Sequence, residues 1–148
     1  MKMSEIEEEH ILSLKKSFKA IRSLNHPSII KYHAMYIALH RRTCYLVMDY
    51  IPQPCLSDYI YPESEDQAPL SEEEIKLIMR QLLEALRYLH SHKICHRDVK
   101  PDNVMYDRKS AKIWLIDFGV SKLWMEKNVR KEMLTNTGTP DYKAPELH

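Results

Sequence analysis

Only two glycines, Gly119 and Gly138, occur in the 148 residues. A phosphate-cradling loop needs several glycines to bring backbone amides close to the anion, so no Gly-rich phosphate loop can exist anywhere in this chain. The length fits one ordinary domain and can bury a sizeable core. Twenty-two Lys and Arg against 21 Asp and Glu leave a formal net charge of +1. That balance argues against a nucleic-acid binder driven by bulk charge and against a polybasic membrane-surface protein. No apolar run approaches the roughly 18 residues of a membrane span, and the acidic stretch from Met1 to His10 lacks a signal-peptide core. Cys44, Cys55 and Cys95 are odd in number and widely spaced, so they read as reduced thiols of an intracellular, cytoplasmic protein.

Residues 1–25 read as a helix. Ser4 and Glu7 match a capping box, and Ile11, Leu14, Phe18 and Ile21 recur at helical spacing. Asn25-His26-Pro27 stops it. Ile29 to Tyr36 and Thr43 to Tyr50 have strand composition, with a glycine-free turn over Leu39 to Arg42 between them. Pro52 and Pro54 mark a linker, and the acidic residues 61–74 read as exposed. Ser71 and Glu74 open a second helix that ends near Ser91, with Ile75, Ile78, Leu82, Ala85, Leu86 and Leu89 as its apolar stripe. Met79 is expected in the core with them. Asn103 to Tyr106 and Lys112 to Ile116 are strand-like, and residues 120–141 read as a long loop. The pattern predicts a small part, 1–50, a hinge near 49–55, and a mostly helical part. A cleft between the two is the natural ligand site.

The segment from Cys95 to Asn103 sets a carboxylate, an amine and a carboxamide within six positions. That trio suits phosphoryl transfer, where positioning and charge neutralisation do most of the catalysis. Asp98 can accept a hydroxyl proton, Lys100 can neutralise the moving phosphoryl group, and Asn103 can hold a metal ion. Asp117-Phe118-Gly119 follows an apolar run, and its carboxylate is a natural magnesium ligand.

HRDVKPDN, DFG, TGTPDY and APE, in this order and spacing, resemble the eukaryotic protein kinase family. Lys100, two residues after Asp98, resembles the serine/threonine type. The resemblance covers essentially the whole chain, from the family's C helix to its APE motif. It implies an α+β, protein-kinase-like two-lobe fold truncated at both ends, with 1–50 as an N-lobe remnant and 51–148 as the C-lobe part with catalytic loop and activation segment. It implies transfer of the ATP γ-phosphoryl group to protein serine or threonine, with ATP and Mg2+ as cofactors and a protein as substrate. Asp98, Lys100 and Thr139 would be catalytic, and Asn103 and Asp117 would hold magnesium. Met48 as gatekeeper, the backbones of Asp49 and Ile51, and Met105 would meet the adenine. Ile21, Tyr32, His96 and Phe118 would form the regulatory spine. Thr135 falls where an upstream kinase would place an activating phosphate, and Arg97 is its expected partner.

The sequence departs from the family in three ways. The phosphate loop and its strand lysine are missing, Ser17 stands where the C helix carries glutamate, nine residues before His26, and the chain stops just past Glu146. The expectation is a fragment or a truncated gene model, with apolar surface exposed on the helix over 72–91. The competing reading is a non-catalytic, pseudokinase-like module that binds a partner through that surface. A zinc site of His90, His92, Cys95 and His96 is disfavoured, since structural sites need four ligands at defined geometry.

Overall fold

A computed structural model describes residues 5–41, 43–63, 68–119, 122–123, 125–126, 129–130 and 138–143. The chain divides into two units, one of Met1–Asn25 with Lys31–Asp49 and one of His26–Ile30 with Tyr50–His148.

In the first unit, α1 spans Glu5–Arg22. Ser4 of the expected capping box lies outside the described residues. Lys19 and Arg22 occupy the last turn, where cations suit the helix dipole. Lys31 Nζ donates to the carbonyls of Arg22 (3.1 Å) and Leu24 (2.7 Å), closing off the helix end. Antiparallel β1 (Tyr32–Ala38) and β2 (Thr43–Met48) follow, joined by a 3-10 turn over Leu39–Arg41. The first strand therefore starts three residues later than the composition suggests. Ile29 and Ile30 pair instead within the second unit, where Ile30 N–H donates to Leu115 C=O (3.1 Å) and Leu115 N–H donates to Ser28 C=O (2.9 Å). The second strand ends at Met48 rather than Tyr50.

In the second unit, a short helix α2, Leu56–Ile60, directly follows the prolines that read as a linker. Asp58 Oδ2 accepts the Cys55 N–H at 2.9 Å and starts it. Helix α3 spans Glu72–Ser91 with the expected capping box: Ser71 Oγ accepts Glu74 N–H (3.2 Å) and Glu74 Oε2 accepts Ser71 N–H (2.8 Å). Next come β3 (Ile94–Cys95), a 3-10 turn (Pro101–Asn103), and the antiparallel hairpin of β4 (Val104–Asp107) and β5 (Lys112–Leu115). Residues 120–141 are not loop throughout. β6 (Lys122–Leu123) pairs with β3, and β7 (Met125–Glu126) pairs with β8 (Val129–Arg130). Two-residue strands carry no periodicity to read.

The core of this unit lies between α3 and the β4–β5 hairpin. Ile78, Leu82, Ala85 and Leu89 are buried, as are Val104, Tyr106, Ile113 and Leu115. Each large side chain so buried stabilises by about 1.5–3 kcal/mol. Two polar ties hold the helix in place. Gln81 Nε2 donates to Ala111 C=O (2.8 Å) while its Oε1 accepts Ile113 N–H (3.3 Å). Arg108 donates to Glu74 (Nε to Oε1, 2.6 Å) and to the carbonyls of Ala68 and Pro69 (2.8 and 2.9 Å). The Arg108 hydrogen bond, with the Ser71 N–H, holds the Glu74 carboxyl down from its ordinary 4.5 to about 2. The expected stripe is only partly core. Ile75 and Met79 are exposed with Leu77 and Leu83, and Leu86 is half-buried. The hairpin is narrower than the helix's apolar arc.

Candidate active site

The catalytic-loop residues sit between β3 and the 3-10 turn. His96 is buried, and burial holds its imidazole below its ordinary pKa and therefore neutral. Its Nδ1 accepts Asp98 N–H (3.3 Å), so its Nε2 carries the proton and donates to Ile116 C=O (2.9 Å). His96 thereby ties the loop to the end of β5, and its ring meets Phe118 edge-on at 4.7 Å. Arg97 beside it takes a left-handed backbone, φ 69°.

Asp98 is the centre of the site. Its side chain is 12% exposed. Oδ1 accepts both the N–H and the hydroxyl of Thr139, each at 2.8 Å. Oδ2 accepts Asn103 Nδ2 (2.9 Å) and lies 3.4 Å from Lys100 Nζ. Burial alone would raise the pKa of this carboxyl. The hydrogen bonds from Thr139 and Asn103 and the Lys100 charge outweigh it and keep it below the usual carboxylate range. Asp98 is therefore ionised at neutral pH. Lys100 Nζ also donates to Thr139 Oγ1 (2.7 Å), so the order Lys100, Thr139, Asp98 forms one chain of donors ending on a carboxylate.

Asn103 is buried, and its Nδ2 is fully engaged by Asp98, donating to its C=O (2.8 Å) and to Oδ2. Its Oδ1 has no hydrogen-bond partner among the described residues. Asn103 C=O accepts Ile116 N–H at 2.9 Å, which brings it to the strand end that carries Asp117. Asp117 is exposed, has φ 59°, and its Oδ1 accepts Gly119 N–H at 3.0 Å. An amide oxygen and a carboxylate are hard oxygen donors. They fit a magnesium ion that keeps its other positions for water and phosphate oxygens. Among the described residues no cluster of three or more His, Cys, Asp and Glu could hold a metal by itself, which also removes the zinc alternative there.

Gly138 completes the loop packing. It has φ +93°, and a Cβ there would stand 2.4 Å from the Arg97 carbonyl oxygen. The tight approach of residues 138–139 to the catalytic loop thus requires glycine.

A family model described as "Protein kinase domain" matches residues 1–148. The chain belongs to the protein kinase family. It is 35% identical over 99% of its length to the serine/threonine-protein kinase fray1 of Dictyostelium discoideum, covering 25% of that protein. It is 33% identical over 93% to the mitogen-activated protein kinase kinase kinase ANP1 of Arabidopsis thaliana, covering 20% of it. The SNF1-related protein kinase catalytic subunit alpha KIN12 of the same plant is 32% identical over 92% of this chain, which covers 26% of that protein. The kinase chain thus spans about a quarter of the length of these relatives, and its helices and small antiparallel sheets make a partial α+β kinase fold.

The kinase fold gathers Asp98, Lys100, Asn103 and Thr139 into one network, with Asp117 one residue beyond a backbone bond to Asn103. Met48 closes β2 and is exposed. Asp49 N–H donates to Lys31 C=O (2.9 Å), and its side chain meets His33 at 2.6 Å. Ile51 and Met105 are half-buried, and Met105 bridges to Cys55. Ile21 and Tyr32 are buried, as are His96 and Phe118. Ser17 lies half-buried on α1. Thr135 and Glu146 lie outside the described residues. The His96 bonds that orient Asp98 escaped sequence reasoning, because they join backbone groups that no side-chain pattern encodes.

Proposed function

We propose that the chain is part of a serine/threonine protein kinase, 1–50 an N-lobe remnant and 51–148 the C-lobe part, acting on a protein substrate. One observation carries this reading: the ionised Asp98 carboxylate, held by Thr139 and Asn103 with Lys100 beside it. A carboxylate held beside a lysine and a hydroxyl suits a group that positions a substrate hydroxyl.

Bound magnesium-ATP would supply the γ-phosphoryl group and part of the charge neutralisation. Asn103 Oδ1 and the Asp117 carboxylate would hold the metal. Asp98 would orient the substrate hydroxyl and take its proton as the oxygen attacks. A carboxylate below the usual range is a weak base, which suits a reaction that asks mostly for positioning. Lys100 would neutralise charge on the moving group, and Thr139 would keep Asp98 and Lys100 in register. Met48, the backbones of Asp49 and Ile51, and Met105 would meet the adenine. An upstream kinase would modify Thr135, with Arg97 pairing the phosphate. Free thiols at Cys44, Cys55 and Cys95 support an intracellular, cytoplasmic setting. No helix among the described residues is long and apolar enough to cross a membrane.

A second reading, a non-catalytic partner-binding module, is favoured by Ser17 and by the exposed Ile75, Leu77, Met79 and Leu83 on α3. Calorimetry of magnesium-ATP binding, with Asp117→Ala as control, separates the two. Binding that vanishes in the control supports the kinase. No binding by a folded chain leaves the partner module.

A further inference from the structure

β2 ends at Met48, and Asp49 is the first residue beyond it. Two bonds still hold Asp49 against the start of β1. Its N–H donates to Lys31 C=O at 2.9 Å, and its Oδ1 meets His33 Nε2 at 2.6 Å. A carboxylate only accepts, so Nε2 carries the hydrogen and donates it. Lys31 is itself tied, since its Nζ donates to the carbonyls of Arg22 and Leu24 at the end of α1. The next residue, Tyr50, is 86% exposed, so the side-chain hold on this stretch falls on Asp49.

His33 reaches Asp49 because β1 carries an extra residue at this point. Tyr32 pairs with Met48, but Ala34 pairs with Val47, so two steps along β1 are matched by one step along β2. Regular pairing would set Ala34 opposite Leu46, which instead pairs with Met35. Such a bulge interrupts the ladder and re-aims a side chain. Stability does not account for it. The His33 and Asp49 side chains are 51% and 50% exposed, and a pair so exposed contributes little to folding. The effect of the bulge is one of position: it brings an imidazole donor to the first residue past β2.

We infer that His33 is a positioning residue for the adenine contact proposed at Asp49, and the inference rests on that reading. The Lys31 bond fixes the peptide that enters Asp49. The His33 bond fixes the direction of its side chain. With both set, little freedom remains for the backbone that leaves Asp49 towards Tyr50. A ligand that docks on that backbone meets groups ordered in advance and loses less conformational entropy on binding. Without the imidazole only the amide bond remains, and one hydrogen bond leaves the residue free to turn about it. The loss should therefore fall on nucleotide affinity and not on the fold.

His33→Ala in the 148-residue chain tests the hold and its use separately. Amide hydrogen exchange followed by NMR, without nucleotide, should show the Asp49 N–H exchanging several-fold faster than in wild type. Calorimetry should show magnesium-ATP bound about three- to tenfold more weakly, with the urea midpoint unchanged. His33→Gln keeps an Nε2–H donor and should restore both exchange and affinity, whereas His33→Leu, of similar bulk without a donor, should restore neither. In an Asp49→Ala background, His33→Ala should add nothing. Unchanged exchange at Asp49 overturns the inference. So does weak binding that His33→Gln fails to restore, and so does a urea midpoint that falls in step with binding, which would make His33 structural. Equal nucleotide binding by wild type and His33→Ala would remove the positioning role and leave the kinase reading standing. A folded wild-type chain that binds no nucleotide would remove both.

Discussion

The two units each contain a two-stranded hairpin, and the two hairpins are finished differently. β4–β5 lies under α3, and its inward residues Val104, Tyr106, Ile113 and Leu115 are all buried. β1–β2 leaves five consecutive β2 residues, Cys44 to Met48, exposed. An isolated hairpin is marginal in water, so the covering helix decides how firmly a hairpin can hold anything. The difference is not only apolar area. Gln81 and Arg108 reach from or to α3 and bind backbone of the β4–β5 hairpin and of residues 68–69. Two of the proposed site residues hang from the covered hairpin. Asn103 leads into β4, and Asp117 follows β5 by two residues. Met48 and Asp49, expected at the adenine, hang from the uncovered one. In the proposed kinase reading, the metal-holding groups are the ones on the better-supported hairpin.

The largest expected effect breaks the covered side at its chemistry. Asp98→Asn should lower phosphotransfer from magnesium-ATP by about 10²–10⁴-fold with the circular dichroism spectrum unchanged. If the rate holds, the carboxylate network is structural. Leu89→Ala should cost about 2–5 kcal/mol in urea unfolding, since the side chain is fully buried against the hairpin. Gly138→Ala should cost about 1–3 kcal/mol, because the added Cβ meets the Arg97 carbonyl at positive φ. Calorimetric melting checks it, and a loss confined to nucleotide-dependent signals would argue that only residues 138–139 detach.

Acid sharpens the comparison. Glu74 has its pKa depressed from 4.5 to about 2 in the folded chain. Its contribution to stability is therefore complete above about pH 4.5 and disappears as pH falls towards 2. Wild type should exceed Glu74→Gln in urea midpoint at pH 7, and the two midpoints should converge near pH 2. The smallest effect falls on the uncovered hairpin. Leu46→Ala should change stability by no more than about 0.5 kcal/mol, against the several expected at Leu89. A large loss there would mean that β2 is covered in solution.

The covered side was also the more legible. Ser71 and Glu74 announced α3, and residue type alone suggested the phosphoryl-transfer roles proposed for Asp98, Lys100, Asn103 and Asp117. Thr139 lies 41 residues from Asp98, yet the two meet. Only the family resemblance linked them, since no local pattern does. Five-residue α2 was missed because it is too short for a periodicity and follows two prolines. Ile29 and Ile30 have strand composition, but what a β-branched pair joins is decided by the hairpin that receives it, here Leu115. Met79 and Ile75 show that periodicity finds a helix's apolar arc and not how much of it a neighbour covers. The Arg108–Glu74 pair spans 34 residues and left no trace in local spacing.

That pair also determines where the chain tolerates change. Arg108 grips the backbone at Ala68 and Pro69, immediately before the Ser71 cap, so the β4–β5 hairpin fixes the start of α3 together with the helix's own capping box. A change of chain length before Ala68 should therefore be absorbed without moving α3 or the loop that carries Asp98.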